Sequence, residues 1–285
     1  MKWSNIKELL MHILFFLTAC VSIFAVVLIC VFLFANGIPA IGKIGVFKFL
    51  LGTKWKPSND IYGILPMILG SLYVTAGAII IGVPIGLLTA VFLAKFCPKG
   101  LYKILKPATE LMAGVPSVVY GFFGLVVLVP LVQNIFGVAG NTMLTASVLL
   151  GIMILPTIIG VSESAIRAVP DSYYEGSLAL GASHERSVFF ATLPAARSGI
   201  LAGVVLGIGR AIGETMAVVM VAGNKPRMPQ GLLDGVRTMT ANIVMEMGYA
   251  TDLHREALIA TAVVLFVFIL MINVTFSLLR RKDRA

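Results

Sequence analysis

Two ionisable residues stand in a stretch otherwise built of glycine and apolar side chains, Gly199-x-x-x-Gly203-x-x-x-Gly207-x-x-Arg210-x-x-x-Glu214. At about 100° per helical residue from Gly199, Gly203 falls at about 40°, Gly207 at about 80°, Arg210 at about 20° and Glu214 at about 60°. One narrow helix face is therefore expected to carry all five. Small residues at every fourth position let helices approach closely, so this face should meet other protein, and the charges with it. A guanidinium is a planar fork of donors that matches phosphate or carboxylate oxygens in pairs. Glu214 can hold the arginine while no anion is present, and can accept a hydrogen bond from a protonated oxyanion, which favours monohydrogen phosphate over sulfate. The alternative is an interhelical ion pair with no ligand.

The elements that must position this pair are long and apolar. Of 285 residues, 59% are hydrophobic and 12% charged, against about 25% charged in soluble domains. Residues 9–35 contain no Lys, Arg, Asp or Glu, a run too long for the roughly 7–15-residue core of a cleaved signal peptide, and read as a retained N-terminal span. Five further apolar segments, near 62–95, 108–133, 141–164, 200–223 and 256–279, predict an all-α polytopic membrane protein of about six transmembrane helices. Residues 1–285 are read as a single transmembrane domain with its core at about 62–279. The 62–95 segment would make a helix of about 50 Å against a hydrocarbon core of about 30 Å, so it is expected to kink at Pro66 or Pro84, tilt, or project. A central arginine costs about 2.5–3.5 kcal/mol even on the mild insertion scale, and an i,i+4 glutamate offsets only part of that. Something other than stability is expected to keep Arg210. Residues 113–124 are expected to break a helix in mid-membrane, which is tolerated beside protein or a watery cavity. Ser117 and nearby amides are then candidate anion donors, the alternative being a plain proline kink.

Lys and Arg set the orientation. With the N-terminus inside, Lys2, Lys7, the lysines at 95–106, Arg167, Arg186, Arg197 and the basic residues at 280–284, Arg284 included, fall in the cytoplasm. The outer loops hold fewer, and both termini are expected to be cytoplasmic. The net charge of +9 is spread over short loops with no aromatic-basic module for stacking bases, so it reads as topology and attraction to membrane lipid rather than to nucleic acid. Cys20, Cys30 and Cys97 suggest no disulfide or metal framework. His12, His184 and His254 are scattered, His184-Glu185 lacks a second His at zinc-hydrolase spacing, and Gly42-Lys43 runs into Ile44 rather than Ser or Thr, so no catalytic site, metal, cofactor or ATP-cradling loop is expected.

Residues 165–199 are polar and carry ordered local signals. Pro170 and Asp171 precede Ser172-x-x-Glu175, read as a capping box, and Gly181 can close the helix in the left-handed conformation. The two turns from 173 to 180, with Tyr173, Tyr174 and Leu178 as an apolar-aromatic face, are too short to stand alone, so a partner is expected to hold them. On the opposite side, residues 224–255 read as loop to Gly235 and then a helix through Met247, either a docking place or a solvated cap.

Glu175-Gly176-Ser177, then Gly181, then Leu193-Pro194 resembles the EAA loop of permease subunits in bacterial ABC importers. Gly176 and Ser177 stand where that pattern has alanines, and Ala191 where it has an aliphatic residue. The resemblance implies that Ser172, Glu175, Gly176, Ser177, Gly181, Leu193 and Pro194 couple the chain to a separate ATPase. Tyr62 to Thr75, Ala113 to Gly121 and Gly209-Arg-Ala-Ile-Gly-Glu-Thr-Met together resemble the C-type permeases (PstC) of bacterial phosphate importers, over most of the chain from about residue 50. This implies a type I ABC importer permease fold in the bacterial cytoplasmic membrane, with Arg210, Glu214 and Thr215 on the path of inorganic phosphate. It also implies a second, related permease (PstA-type), a dimer of ATPase subunits (PstB-type) and a periplasmic or lipid-anchored phosphate-binding protein (PstS-type). The rival readings are a permease for another oxyanion such as sulfate or molybdate, and an ion-gradient-driven secondary anion carrier.

Overall fold

The computed structural model describes residues 3–282, so Lys2 and Arg284 lie outside the described residues. In chain order the elements are α1 (Trp3–Ile44), α2 (Val46–Leu51), a hairpin of β1 (Trp55–Lys56) and β2 (Ile61–Tyr62), α3 (Leu65–Val91), α4 (Lys99–Gly114), α5 (Ser117–Phe123), α6 (Val129–Phe136), α7 (Met143–Arg167), α8 (Asp171–Ala179), α9 (His184–Ser187), α10 (Leu193–Gly213), α11 (Met216–Val221), α12 (Met239–Glu246) and α13 (Asp252–Lys282). π-helical turns at Phe92–Phe96, Gly124–Leu128 and Val188–Thr192 extend α3, join α5 to α6 and join α9 to α10. Among the described residues, six helical segments are long and apolar enough to cross a membrane: Lys7–Ile44, Leu65–Phe96, Ser117–Phe136, Met143–Arg167, His184–Gly213 and Asp252–Thr275.

α7 is the centre of the bundle, with Leu149, Leu150, Met153, Ile154 and Ile158 fully buried. Lipid gives helices no hydrophobic reason to associate, so close approach must supply the packing energy. Glycines allow it on both sides of α7. A Cβ on Gly82 of α3 would lie 2.8 Å from the Gly151 carbonyl oxygen, and one on Gly207 of α10 would lie 2.9 Å from Ile158. α1 stands apart, exposed over most of its length, and meets α13 through an edge-to-face contact of Phe34 with Phe266 at 5.9 Å.

Two expected span starts move furthest. The third span starts at Ser117 rather than 108, because Pro116 holds Val115 extended (ψ 126°) and ends α4 there. The break at Val115 and Pro116 thus separates that span from α4, a helix with no buried residue. The fifth span runs from His184 to Gly213. Pro66 lies in the first turn of α3, where its missing N–H costs no hydrogen bond, and α3 continues through Pro84.

Candidate functional site

Gly199, Gly203 and Gly207 face α7, where added Cβ atoms would meet Ala165, Val161 with Ser162, and Ile158. Arg210 follows one turn on and faces the same way: its Nη1 donates to Thr157 Oγ1 at 3.2 Å. Glu214 does not. α10 ends at Gly213, and Glu214 takes extended backbone (φ −68°, ψ 130°), so the helical extrapolation stops one residue short. Its carboxylate turns forward and accepts the Ala217 N–H at 3.2 Å, closing the start of α11. Among the described residues no ion pair joins Arg210 to Glu214, and the guanidinium, half-buried, has a single neutral hydrogen-bond partner for its five donors.

The structure gathers Arg210, Glu214 and Thr215 at the break between α10 and α11. Thr215 donates to the Gly213 carbonyl at 3.2 Å, and Thr240 at the start of α12 donates to that of Glu214 at 3.1 Å. Ser117 opens α5, which packs on α11 so tightly that a Cβ on Gly121 would lie 2.9 Å from Ala217 Cα. Tyr120, one turn into α5, donates to the Met112 carbonyl at 2.9 Å and lies within electrostatic reach of Arg210. Added Cβ atoms on Gly209 and Gly213 would meet nothing within 4 Å. α10 therefore has one side packed on α7 and one side open beside Arg210. Thr157, which the sequence reading passed over, had one visible signal: a hydroxyl next to Pro156 within an apolar span.

At the far end of α7 and α10, α8 is the expected short helix. It begins at Asp171 after Pro170 (ψ 136°), with no side-chain cap. Ser172 is therefore inside the first turn, and the capping box with Glu175 does not form, because Pro170 and the acidic Asp171 already suit a helix start. Gly181 does terminate the helix at φ +84°. Its N–H donates to Leu178 at 2.8 Å and the Ala182 N–H to Ser177 at 3.2 Å, the paired bonds of a Schellman motif. Tyr174 is turned inward, its hydroxyl 2.7 Å from His184 Nδ1, and His184 packs edge-on against Phe96 at 4.7 Å. Glu175 and Gly176 are exposed, as are the apolar Tyr173, Leu178, Leu180 and Phe190, with Leu180 at 91%. Leu193 is half-buried, and Pro194, in the first turn of α10, is exposed.

Residues 82–284 match the model of the binding-protein-dependent transport system inner membrane component family. The chain belongs to that family. It is similar to a probable ABC transporter permease protein, YqgH, of Bacillus subtilis, with 38% identity over 93% of this chain and 89% of that protein. It is similar also to phosphate transport system permease proteins PstC, at 34% identity in Mesorhizobium japonicum (90% of this chain, 85% of that protein) and, for a probable one, 32% in Methanocaldococcus jannaschii (96% and 95%). Among solved structures it resembles an inward-facing MetNI methionine ABC transporter chain (TM-score 0.64, 19% identity, 81% of this chain and 99% of that one). A bacterial ABC transporter importing alginate matches with TM-score 0.64 at 15% identity, covering 98% of each chain. The fold is that of a type I ABC importer permease.

Two buried carboxylates of the permease were not singled out from the sequence. Glu163 on α7 accepts Tyr102, Lys106 and Arg167, each at 2.8 Å, while Arg167 also donates to the Leu93 carbonyl in the π turn after α3 at 2.7 Å. The bond to Glu163 raises the Lys106 pKa above its usual value, against the opposing effect of burial. This cluster ties α4, α7 and the end of α3 together. Glu163→Gln leaves Arg167 without its counter-charge and Lys106 with only the longer contact to Glu110 at 3.5 Å, and is expected to destabilise the permease by about 3 kcal/mol. A lowered thermal unfolding midpoint in detergent checks this, and an unchanged midpoint contradicts it. At the other end, Glu246 on α12 accepts Arg237 at 2.6 Å and Trp55 at 2.8 Å, and pairs with His254 at 2.8 Å. That cluster joins the hairpin, α12 and the start of α13. In each cluster some partners lie far off in sequence: Tyr102 and Lys106 for Glu163, and Trp55 for Glu246.

Proposed function

We propose that this chain is a membrane-spanning subunit of an ATP-driven importer and passes inorganic phosphate inward across the cytoplasmic membrane, with Arg210 as the anion's temporary ligand. The guanidinium carries the reading. It sits half-buried in a span at a cost of about 2.5–3.5 kcal/mol, holds one neutral partner, and borders the open side of α10. A planar fork with unused donors suits a tetrahedral oxyanion. Thr215, Ser117 and the Glu214 carboxylate, which keeps lone pairs beyond the one given to Ala217, are the neighbouring contacts. The relatives named as phosphate permeases favour phosphate over sulfate or molybdate.

The chain would work beside a second, related permease, with a dimer of ATPase subunits and a separate phosphate-binding protein. The exposed apolar surface of α8 and its flanks is the expected ATPase contact, with Glu175, Gly176, Ser177 and Gly181 within it. ATPase closure would move α8, and with it the ends of α3, α7 and α10. That motion rocks the bundle and opens the cavity outward. Hydrolysis reverses it. Both termini and α8 then lie in the cytoplasm, and residues 1–285 form one transmembrane domain.

The test is uptake of radiolabelled phosphate by the purified complex in proteoliposomes. Uptake should require ATP and resist excess sulfate or molybdate. Uptake driven by an ion gradient without the ATPase would overturn the reading, and equal competition by sulfate would overturn the choice of substrate.

A further inference from the structure

We propose that the end of the molecule opposite α8 carries a second anion site, built to hold a phosphate group. A cleft of about 640 Å³ lies between the end of α1, α2 and the hairpin, and three of its lining residues are Lys43, Lys48 and Lys54. This site does not depend on the role given to Arg210.

The lysines stand on a fixed frame. Gly45, at φ +93°, turns the chain from α1 into α2, and fully buried Phe49 pins α2 to the core beneath. The extended stretch after α2 is held against the hairpin by direct backbone contact, since a Cβ on Gly63 would lie 2.6 Å from Gly52 Cα. Lys48 and Lys54 thus start from anchored backbone.

Charge in the cleft is unevenly spent. Lys43 is paired with Glu256 at 2.7 Å. Asp60, the one acidic lining residue, accepts the Tyr62 hydroxyl at 3.1 Å. The Lys48 and Lys54 ammonium groups have neither ion-pair nor hydrogen-bond partners among the described residues. Two ammonium groups with three donors each, beside the Thr53 hydroxyl, leave an unmet demand for acceptor oxygens. A phosphate group supplies such oxygens with negative charge.

The surroundings place the cleft at headgroup level. It opens where the long apolar helix α1 ends, and α2 turns Val46, Phe47 and Leu51 outward, Phe47 at 80% exposure. An apolar face beside lysines is the pattern of a segment lying in the membrane interface. The phosphate is therefore either that of an anionic lipid or a free ion arriving from solution.

Lysine modification separates these sources. The full chain, in its purified complex in maltoside detergent, is acetylated with limiting reagent, and Lys48 and Lys54 are quantified by mass spectrometry against Lys56, which is exposed but outside the cleft. One arm adds phosphatidylglycerol, another inorganic phosphate. A ligand at about ten times its Kd should slow modification of the two lysines about tenfold. Protection by phosphatidylglycerol alone assigns a lipid headgroup, and protection by inorganic phosphate alone assigns a soluble ion. Protection by both supports the phosphate group as the shared determinant. The double variant Lys48→Gln/Lys54→Gln should lose bound phosphatidylglycerol or phosphate, whichever protects. Unchanged modification in both arms, or equal slowing at Lys56, overturns the proposal.

Discussion

Arg210→Gln is expected to abolish phosphate uptake while leaving the assembled complex intact. Glutamine keeps most of the side chain's reach and a donor for Thr157, but removes the charge and the paired donors. Losing one partner of a buried, hydrogen-bonded charge pair costs about 2–5 kcal/mol, at least a thirtyfold loss at about 1.4 kcal/mol per decade. The opposite holds for stability. Removing a cation from a span relieves about 2.5–3.5 kcal/mol of insertion cost, so the unfolding midpoint should stay level or rise. Uptake at subsaturating phosphate, measured alongside size-exclusion of the complex, checks both halves. Arg210→Lys, which keeps charge without the fork, should fall between. Normal uptake by an assembled Gln variant would remove Arg210 as the ligand.

The second large effect is expected at Gly181. Its φ of +84° is far from the roughly −65° that proline imposes, and its N–H, bonded to Leu178, would be lost. Gly181→Pro should therefore cost about 3 kcal/mol locally, enough to reduce the correctly closed α8 about a hundredfold. No atom lies within 4 Å of a Cβ at this position, so crowding is not the cause. Gly181→Ala isolates the backbone effect at about 1 kcal/mol. If α8 transmits force, the proline variant should hydrolyse ATP with little transport, or fail to hold the ATPase. The ratio of phosphate transported to ATP hydrolysed, in proteoliposomes, measures this. An unchanged ratio would contradict the docking role.

The features legible in the sequence were those with local causes. Apolar runs predicted the spans because length and composition alone decide whether a helix crosses a bilayer. Gly181 was legible because few residues other than glycine adopt positive φ readily. The glycine face of α10 followed from helical spacing, and the structure seats it on α7. Glu214 broke that pattern, since the end of α10 depends on packing at α11 and α12 that no spacing rule contains. Pro116 cut α4 from the third span. The Ser172 capping box gave way to Pro170 and Asp171, two equally local signals just before it. Glu163 and Glu246 escaped notice because Tyr102, Lys106 and Trp55 reach them only in the folded bundle. A carboxylate inside an apolar segment, as at Glu163 beside Arg167, was the one available hint.

The proposed transport path rests on one arrangement: a guanidinium facing a route across the bilayer between this chain and a related subunit. A structure of the assembled complex with phosphate, trapped with its ATPase closed, examines that arrangement directly. The account predicts phosphate oxygens about 3 Å from the Arg210 guanidinium nitrogens, on the open side of α10 beside Gly209 and Gly213. An Arg210 side chain turned to lipid, or walled off from the passage between the subunits, would contradict it.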